Sequence, residues 1–210
     1  MSRKQDKSLG LQMDYEVEVR DKNGKLLDKQ AGKSHTWVRI YTRFLREIFA
    51  NQDGQNRTFS ATNTSGASVT AWAGSGGTSQ THLAFASRAP ANNDAYGIQV
   101  GSSDTAYNRD QYSLQSKIAH GSGSGQLLYG EVTVEDVALE DSTERFRIIR
   151  AFTNSSGSAV TVKEIGIVIL NRAGTTLGLF LFVRDVLASP ISVPDGASLT
   201  VRYRIFVSYA

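Results

Sequence analysis

The chain contains no cysteine, and only three prolines, three histidines and two methionines in 210 residues. Without cysteine there is no disulfide frame, no thiolate metal site and no thiol nucleophile. No apolar run approaches the 18 or so residues of a membrane helix, so membrane insertion is not expected. The opening Met1-Ser2-Arg3-Lys4-Gln5-Asp6-Lys7 lacks the apolar segment of a signal peptide, which implies a protein without an export signal. A surplus of one sign of charge is also missing. The 23 basic and 20 acidic side chains leave a net charge of +3, too little to demand a polyanionic partner. Hydrophobic residues are 40% and charged residues 20%, with Gly, Ser, Thr and Asn taking up the difference, which excludes collagen, coiled coil and charge-driven disorder.

What is present is mostly strand and turn. Met13, Tyr15, Val17 and Val19 alternate with Asp14, Glu16, Glu18 and Arg20, a period of two that predicts a half-buried strand. Asp21-Lys22-Asn23-Gly24 supplies turn chemistry, so the chain should open with a hairpin returning over 25–30. Further strands are expected over 96–100, 126–139, 145–152, 160–170, 177–183 and 198–209. Ile165 to Ile169 are apolar on both faces and suit a central strand. Alternating helices are absent, so the fold class expected is mainly β: an antiparallel sandwich or barrel in one domain spanning 1–210.

Two segments depart from this pattern. Ser34 stands as a helix N-cap, and Trp37, Tyr41, Phe44, Leu45 and Ile48 recur at helical spacing, predicting one amphipathic helix over 34–50. Residues 51–93 read as a long loop or arm. Between Ser60 and Gln80 only Val69 and Trp72 are large apolar residues, too few to offset the entropy of ordering, so a neighbouring subunit is expected to order the segment.

Catalytic and cofactor motifs do not assemble. Gly32-Lys33-Ser34 sits where a phosphate loop would end, but Leu27 occupies the place of its first glycine, and the helix-start reading is preferred. Gly121-Ser122-Gly123-Ser124-Gly125-Gln126 lacks the third glycine of a dinucleotide fingerprint and precedes no helix. His35, His82 and His120 have no ligand-spaced partners. The carboxylates from Glu131 to Glu144 read as a solvated acidic face. No catalytic, cofactor or metal residue is assigned, and a non-enzyme is expected. Arg39, Arg43 and Arg46 form a helical ridge that makes them candidate contact residues, although nucleic-acid binding is not favoured because acidic residues dilute the field. Trp72, alone among small residues, is the leading single contact candidate, since its burial needs a partner surface or a sugar ring.

Several stretches carry a resemblance. Tyr96-Gly97-Ile98-Gln99-Val100-Gly101-Ser102-Ser103, Ile118-Ala119-His120-Gly121, Gln126-Leu127-Leu128-Tyr129-Gly130, Phe152-Thr153-Asn154-Ser155-Ser156-Gly157, Val162-Lys163-Glu164-Ile165-Gly166 and Phe182-Val183-Arg184-Asp185-Val186-Leu187 together resemble a pattern in structural proteins of tailed bacteriophages. The Ser34-His35-Thr36-Trp37-Val38 segment fits the same pattern, and the similarity spans most of the chain outside 51–93. The resemblance implies a virion protein of the tail, neck or capsid surface. Such a protein acts as a homo-oligomer with other particle proteins, and no catalytic residue carries over. The alternative is a carbohydrate-binding sandwich for host attachment, with Trp72, Tyr107 and Tyr112 as its aromatic platform.

Overall fold

A computed structural model describes residues 11–34, 36–49, 57–73, 83–140, 143–173 and 176–208. The elements run β1 (Leu11–Arg20), β2 (Leu26–Lys33), α1 (Arg39–Phe49), β3 (Arg57–Thr62), β4 (Ser68–Ala73), β5 (Leu83–Ala86) and β6 (Gly97–Gly101). They continue with β7 (Leu128–Val134), β8 (Ala138–Glu140), β9 (Thr143–Thr153), β10 (Val160–Ala173), β11 (Thr176–Val193) and β12 (Ser198–Ser208). One sheet has the order β2-β1-β12-β9-β7, with β8 also on β9. A second has β10 between β11 on one side and β5 and β6 on the other. These strands pair antiparallel. The fold is mainly β and sandwich-like, as the strand periodicity predicts.

The core lies between the two sheets. Met13, Tyr15, Val17 and Val19 of β1 face inward beside Leu199, Val201, Tyr203 and Ile205 of β12, and meet Ile165, Ile167, Phe180 and Ile191 of the second sheet. A second cluster, Val38, Leu114, Val168 and Leu181, lies apart from that core. Strands β10 and β11 are thus covered on both faces, which is why their sequences run apolar without alternation.

The outer face of the first sheet is charged and paired across strands. Asp14 lies opposite Arg204 and Glu16 opposite Arg202, and each pair is salt-bridged. Glu18, 7% exposed, accepts from Lys29 at 3.1 Å and Arg202 at 3.0 Å. Burial opposes its ionisation, but these cations prevail and hold its carboxyl below the usual range.

The helix and the long tract need correction. Ser34 and residues 36–38 are not helical: Val38 N–H donates to the Phe182 carbonyl, Trp37 bridges Val183, and Ser34 Oγ donates to Asp185 at 2.8 Å. The edge of β11 recruits this stretch as an extended segment and the buried Asp185 carboxylate takes the hydroxyl expected to cap a helix. Thr36 Oγ1 and Tyr203 Oη donate to the same carboxylate at 2.5 and 3.0 Å. The helix therefore starts at Arg39, and Ala50 lies outside the described residues.

Within 51–93, β3 and β4 form a hairpin whose turn is fixed by Asn63 Oδ1, which accepts from the N–H groups of Ser65 and Ala67. Ala61 and Ala71 are buried and Phe59 stacks edge-on against Phe44 at 4.8 Å. Strand β5 pairs with β10. The expectation of a structureless arm thus fails for 57–73 and 83–86. Small side chains let the hairpin lie close to its neighbours, a form of burial that a search for large apolar residues overlooks. Residues 51–56 and 74–82 lie outside the described set.

Arg150 fixes the segment that leads into β6. Fully buried, it donates to the carbonyls of Pro90, Asn93, Tyr96, Ile98 and Gly130, while Tyr129 presents its ring 4.7 Å from the guanidinium. Burial lowers its pKa to about 10, still far above neutrality. Arg150→Met should lower stability to urea by about 3–5 kcal/mol, because several buried carbonyls lose their donor at once. A loss under 1 kcal/mol would show those carbonyls finding other donors. Acid sensitivity follows from Glu18. A carboxylate depressed in the folded state takes up protons on unfolding, so its contribution is present above the ordinary carboxylate range and is lost as pH falls through the depressed value. Glu18→Gln should flatten the acid limb of the stability curve measured by urea melts across pH.

Candidate functional site

The site grows from a charge pair inside the second sheet. Glu164 on β10 and Arg184 on β11 are both fully buried, with Nε donating to Oε2 at 2.6 Å. The carboxylate also accepts from the backbone N–H groups of Gln115 (3.2 Å) and Ser116 (2.7 Å). The guanidinium's remaining donors go to Gln111 Oε1 at 3.1 Å and the Thr105 carbonyl at 2.9 Å. Gly101, paired with Glu164 across β6 and β10, leaves the space the carboxylate occupies, since a Cβ there would collide with it. One ion pair thereby pins the chain from 105 to 116 onto the outer face of β10 and β11.

That pinned loop faces the start of α1. The Arg39 N–H donates to the Arg109 carbonyl at 2.9 Å, and the Arg39 guanidinium pairs with Asp110 at 2.9 Å. Arg43, one turn on, donates to the Ser60 carbonyl at 3.2 Å. Arg109 stands 3.9 Å from Asp110 and is 73% exposed. Together with Ile40, Thr62, Gln111 and Tyr112 these residues line a cleft of about 260 Å³. Asp110 pairs with two guanidiniums, those of Arg39 and Arg109, while Arg43 lines the same cleft. The first turn of α1 carries no acidic residue, so Arg39 sits against the positive end of the helix dipole, an arrangement that favours an anion.

Of the residues singled out from sequence, Arg39 and Arg43 meet in this cleft. Arg46, exposed on the last turn of α1, does not line it. Trp72 is in β4 opposite Thr58, and its side chain lies outside the described residues, as do Arg3, Lys4, Lys7, His35 and His82. Tyr107 is no platform: its hydroxyl donates to the Trp37 carbonyl at 2.8 Å and its ring packs on the smaller cluster. Tyr112 is 43% exposed and lines the cleft, leaning on the β3–β4 turn at Gly66. Arg109 was invisible to a search for helical ridges, because only the fold of the loop brings it to α1. His120 accepts the Tyr129 N–H through Nδ1, and Glu135 is held bidentate by Arg147. Among the described residues no three His, Asp or Glu converge as metal ligands.

A second feature lies at the end of the sandwich where β1 begins. There the two sheets part around an apolar groove of about 420 Å³, lined by Leu11, Met13, Trp37, Tyr41, Phe146 and Ile169 among others. Beside it Leu11, Val137 and Leu139 are 50%, 66% and 69% exposed. No protein-family model, curated protein or solved structure matches the chain.

The pinning of the cleft is testable. Arg184→Met strands a buried carboxylate and should cost about 3–5 kcal/mol in urea unfolding, whereas Arg184→Met with Glu164→Met should recover most of that loss. In both variants the amides of 105–116 should exchange faster than in the parent. Unchanged exchange there would mean that the loop is held by other contacts.

Proposed function

We propose that the chain is a non-enzymatic structural subunit of a tailed-bacteriophage particle, acting through self-association and contacts with other tail, neck or capsid proteins. The particle is suggested by the sequence resemblance. The observation that carries the assembly reading is the apolar end of the sandwich, where a groove and three exposed aliphatic side chains adjoin. Residues 1–10 include only Met1 and Leu9 as large apolar residues, and 50–56 and 74–82 include none.

A second copy is the occupant we assign. Leu26 and Leu27, 43% and 46% exposed, lie just past the turn at the opposite end of β1, about 30 Å from Leu11 at the rise of an extended strand. An apolar projection at one end and an apolar groove at the other make a head-to-tail contact, the geometry that closes into rings or stacks into tubes.

Leu139→Asp and Leu27→Asp should each reduce the parent's oligomer to monomer in analytical ultracentrifugation. Mixed together, the two variants should form a heterodimer, because each keeps one intact half of the contact. A monomeric parent, or a mixture that stays monomeric, would refute head-to-tail association. Mass spectrometry of purified particles tests the rest: the chain should be present at a fixed, symmetric copy number.

A further inference from the structure

We propose that the cleft between the first turn of α1 and the 109–112 loop binds an acidic saccharide, a sugar ring carrying a carboxylate. This goes beyond assembly and does not depend on it. The charge balance supplies the first reason. Arg39, Arg43 and Arg109 face a cleft whose lining contains one carboxylate, Asp110, so the cleft carries a positive surplus that attracts an anion. Guanidinium forks match the planar, two-oxygen geometry of a carboxylate and engage it bidentately.

Shape and lining narrow the ligand. About 260 Å³ is below the roughly 300–1,000 Å³ of pockets for drug-sized molecules and suits a single ring. Tyr112 presents a partly exposed aromatic face, the surface on which the apolar side of a sugar stacks, and the Thr62 side chain adds a hydroxyl to the lining. A nucleic-acid backbone fits less well, because it calls for a series of phosphate contacts along a basic strip, and Asp110 would repel the second phosphate.

The cleft is also held in shape before any ligand arrives. Gln111 Oε1 accepts from buried Arg184 and from the Asn108 N–H, so the loop carrying Arg109, Asp110 and Tyr112 is anchored to the interior. The loop is thus anchored through Gln111 before any ligand arrives, which lowers the ordering that binding must supply.

Isothermal titration of the isolated 210-residue chain at low salt, with glucuronate, glucose, acetate and inorganic phosphate as probes, tests the proposal. Glucuronate should bind at least about tenfold more tightly than each of the others, and should weaken as salt rises. Arg109→Ala, at an exposed position where folding is not at stake, should weaken glucuronate about tenfold or more. Tyr112→Ala should weaken glucuronate but leave acetate unchanged. Asp110→Asn should strengthen glucuronate binding by releasing Arg39, whereas a merely structural Asp110 would give a loss. Equal binding of acetate or phosphate, no binding of glucuronate, or indifference to Arg109→Ala would each overturn the assignment. The oligomer measurements on Leu27 and Leu139 are read independently, so either reading can fail alone.

Discussion

The Glu164–Arg184 pair is the constraint around which the second sheet and its covering are organised. Two opposite charges with no exposure to water survive only if each remaining donor and acceptor is used. The structure meets that condition by drawing in the backbone of 115–116, the Thr105 carbonyl and the Gln111 amide. What would otherwise be a long irregular excursion between β6 and β7 becomes a fitted cover on β10 and β11. Gly101 is a consequence of the same demand for space. Arg150 repeats the device on the first sheet, where one guanidinium collects carbonyls from 90 to 98 and so fixes the route into β6.

Strand periodicity is a statement about which side of a sheet faces water, and it was legible wherever one side did. β1 and β12 could be read residue by residue because their outer faces carry paired charges. The apolar run from Ile165 to Ile169 could be placed centrally because both of its faces are covered. Ser34 could not be placed, since a hydroxyl before an amphipathic run looks the same whether it caps a helix or donates to a carboxylate 151 residues away. The β3–β4 hairpin escaped notice for another reason: alanines bury completely while contributing little to any hydrophobic pattern.

The buried arginines were in plain view without being informative. Phe182-Val183-Arg184-Asp185-Val186 is an apolar run interrupted by two charges, and in a strand covered on both faces such charges must find partners inside. The sequence signal was that interruption. What it lacked was the partner, because Glu164 and the 105–116 loop meet Arg184 only through the β10–β11 register and a loop closure of some 70 residues. The cleft was half-legible on the same grounds: Arg39 and Arg43 share a helix face by spacing alone, whereas Arg109 and Tyr112 arrive with the pinned loop.

Helix α1 is the wall between the two surface features. Arg39 and Arg43 face the cleft, and Tyr41, two residues on from Arg39 and so on the other side of the helix, lines the apolar groove beside Trp37, on which its ring stacks at 3.9 Å. Phe44 anchors that wall from below, buried against Phe59, Phe180 and Phe182. A helix held by a close-packed aromatic cluster on its inner side resists sliding, because interiors at this density transmit displacement rather than absorb it. Occupation of the groove by a neighbouring copy would thus act on the same element that presents Arg39 and Arg43, and any free energy passed from groove to cleft must pass equally in reverse. The physical requirement for two independent sites is that α1 stay still, and its aromatic anchor is the part of the structure that enforces it.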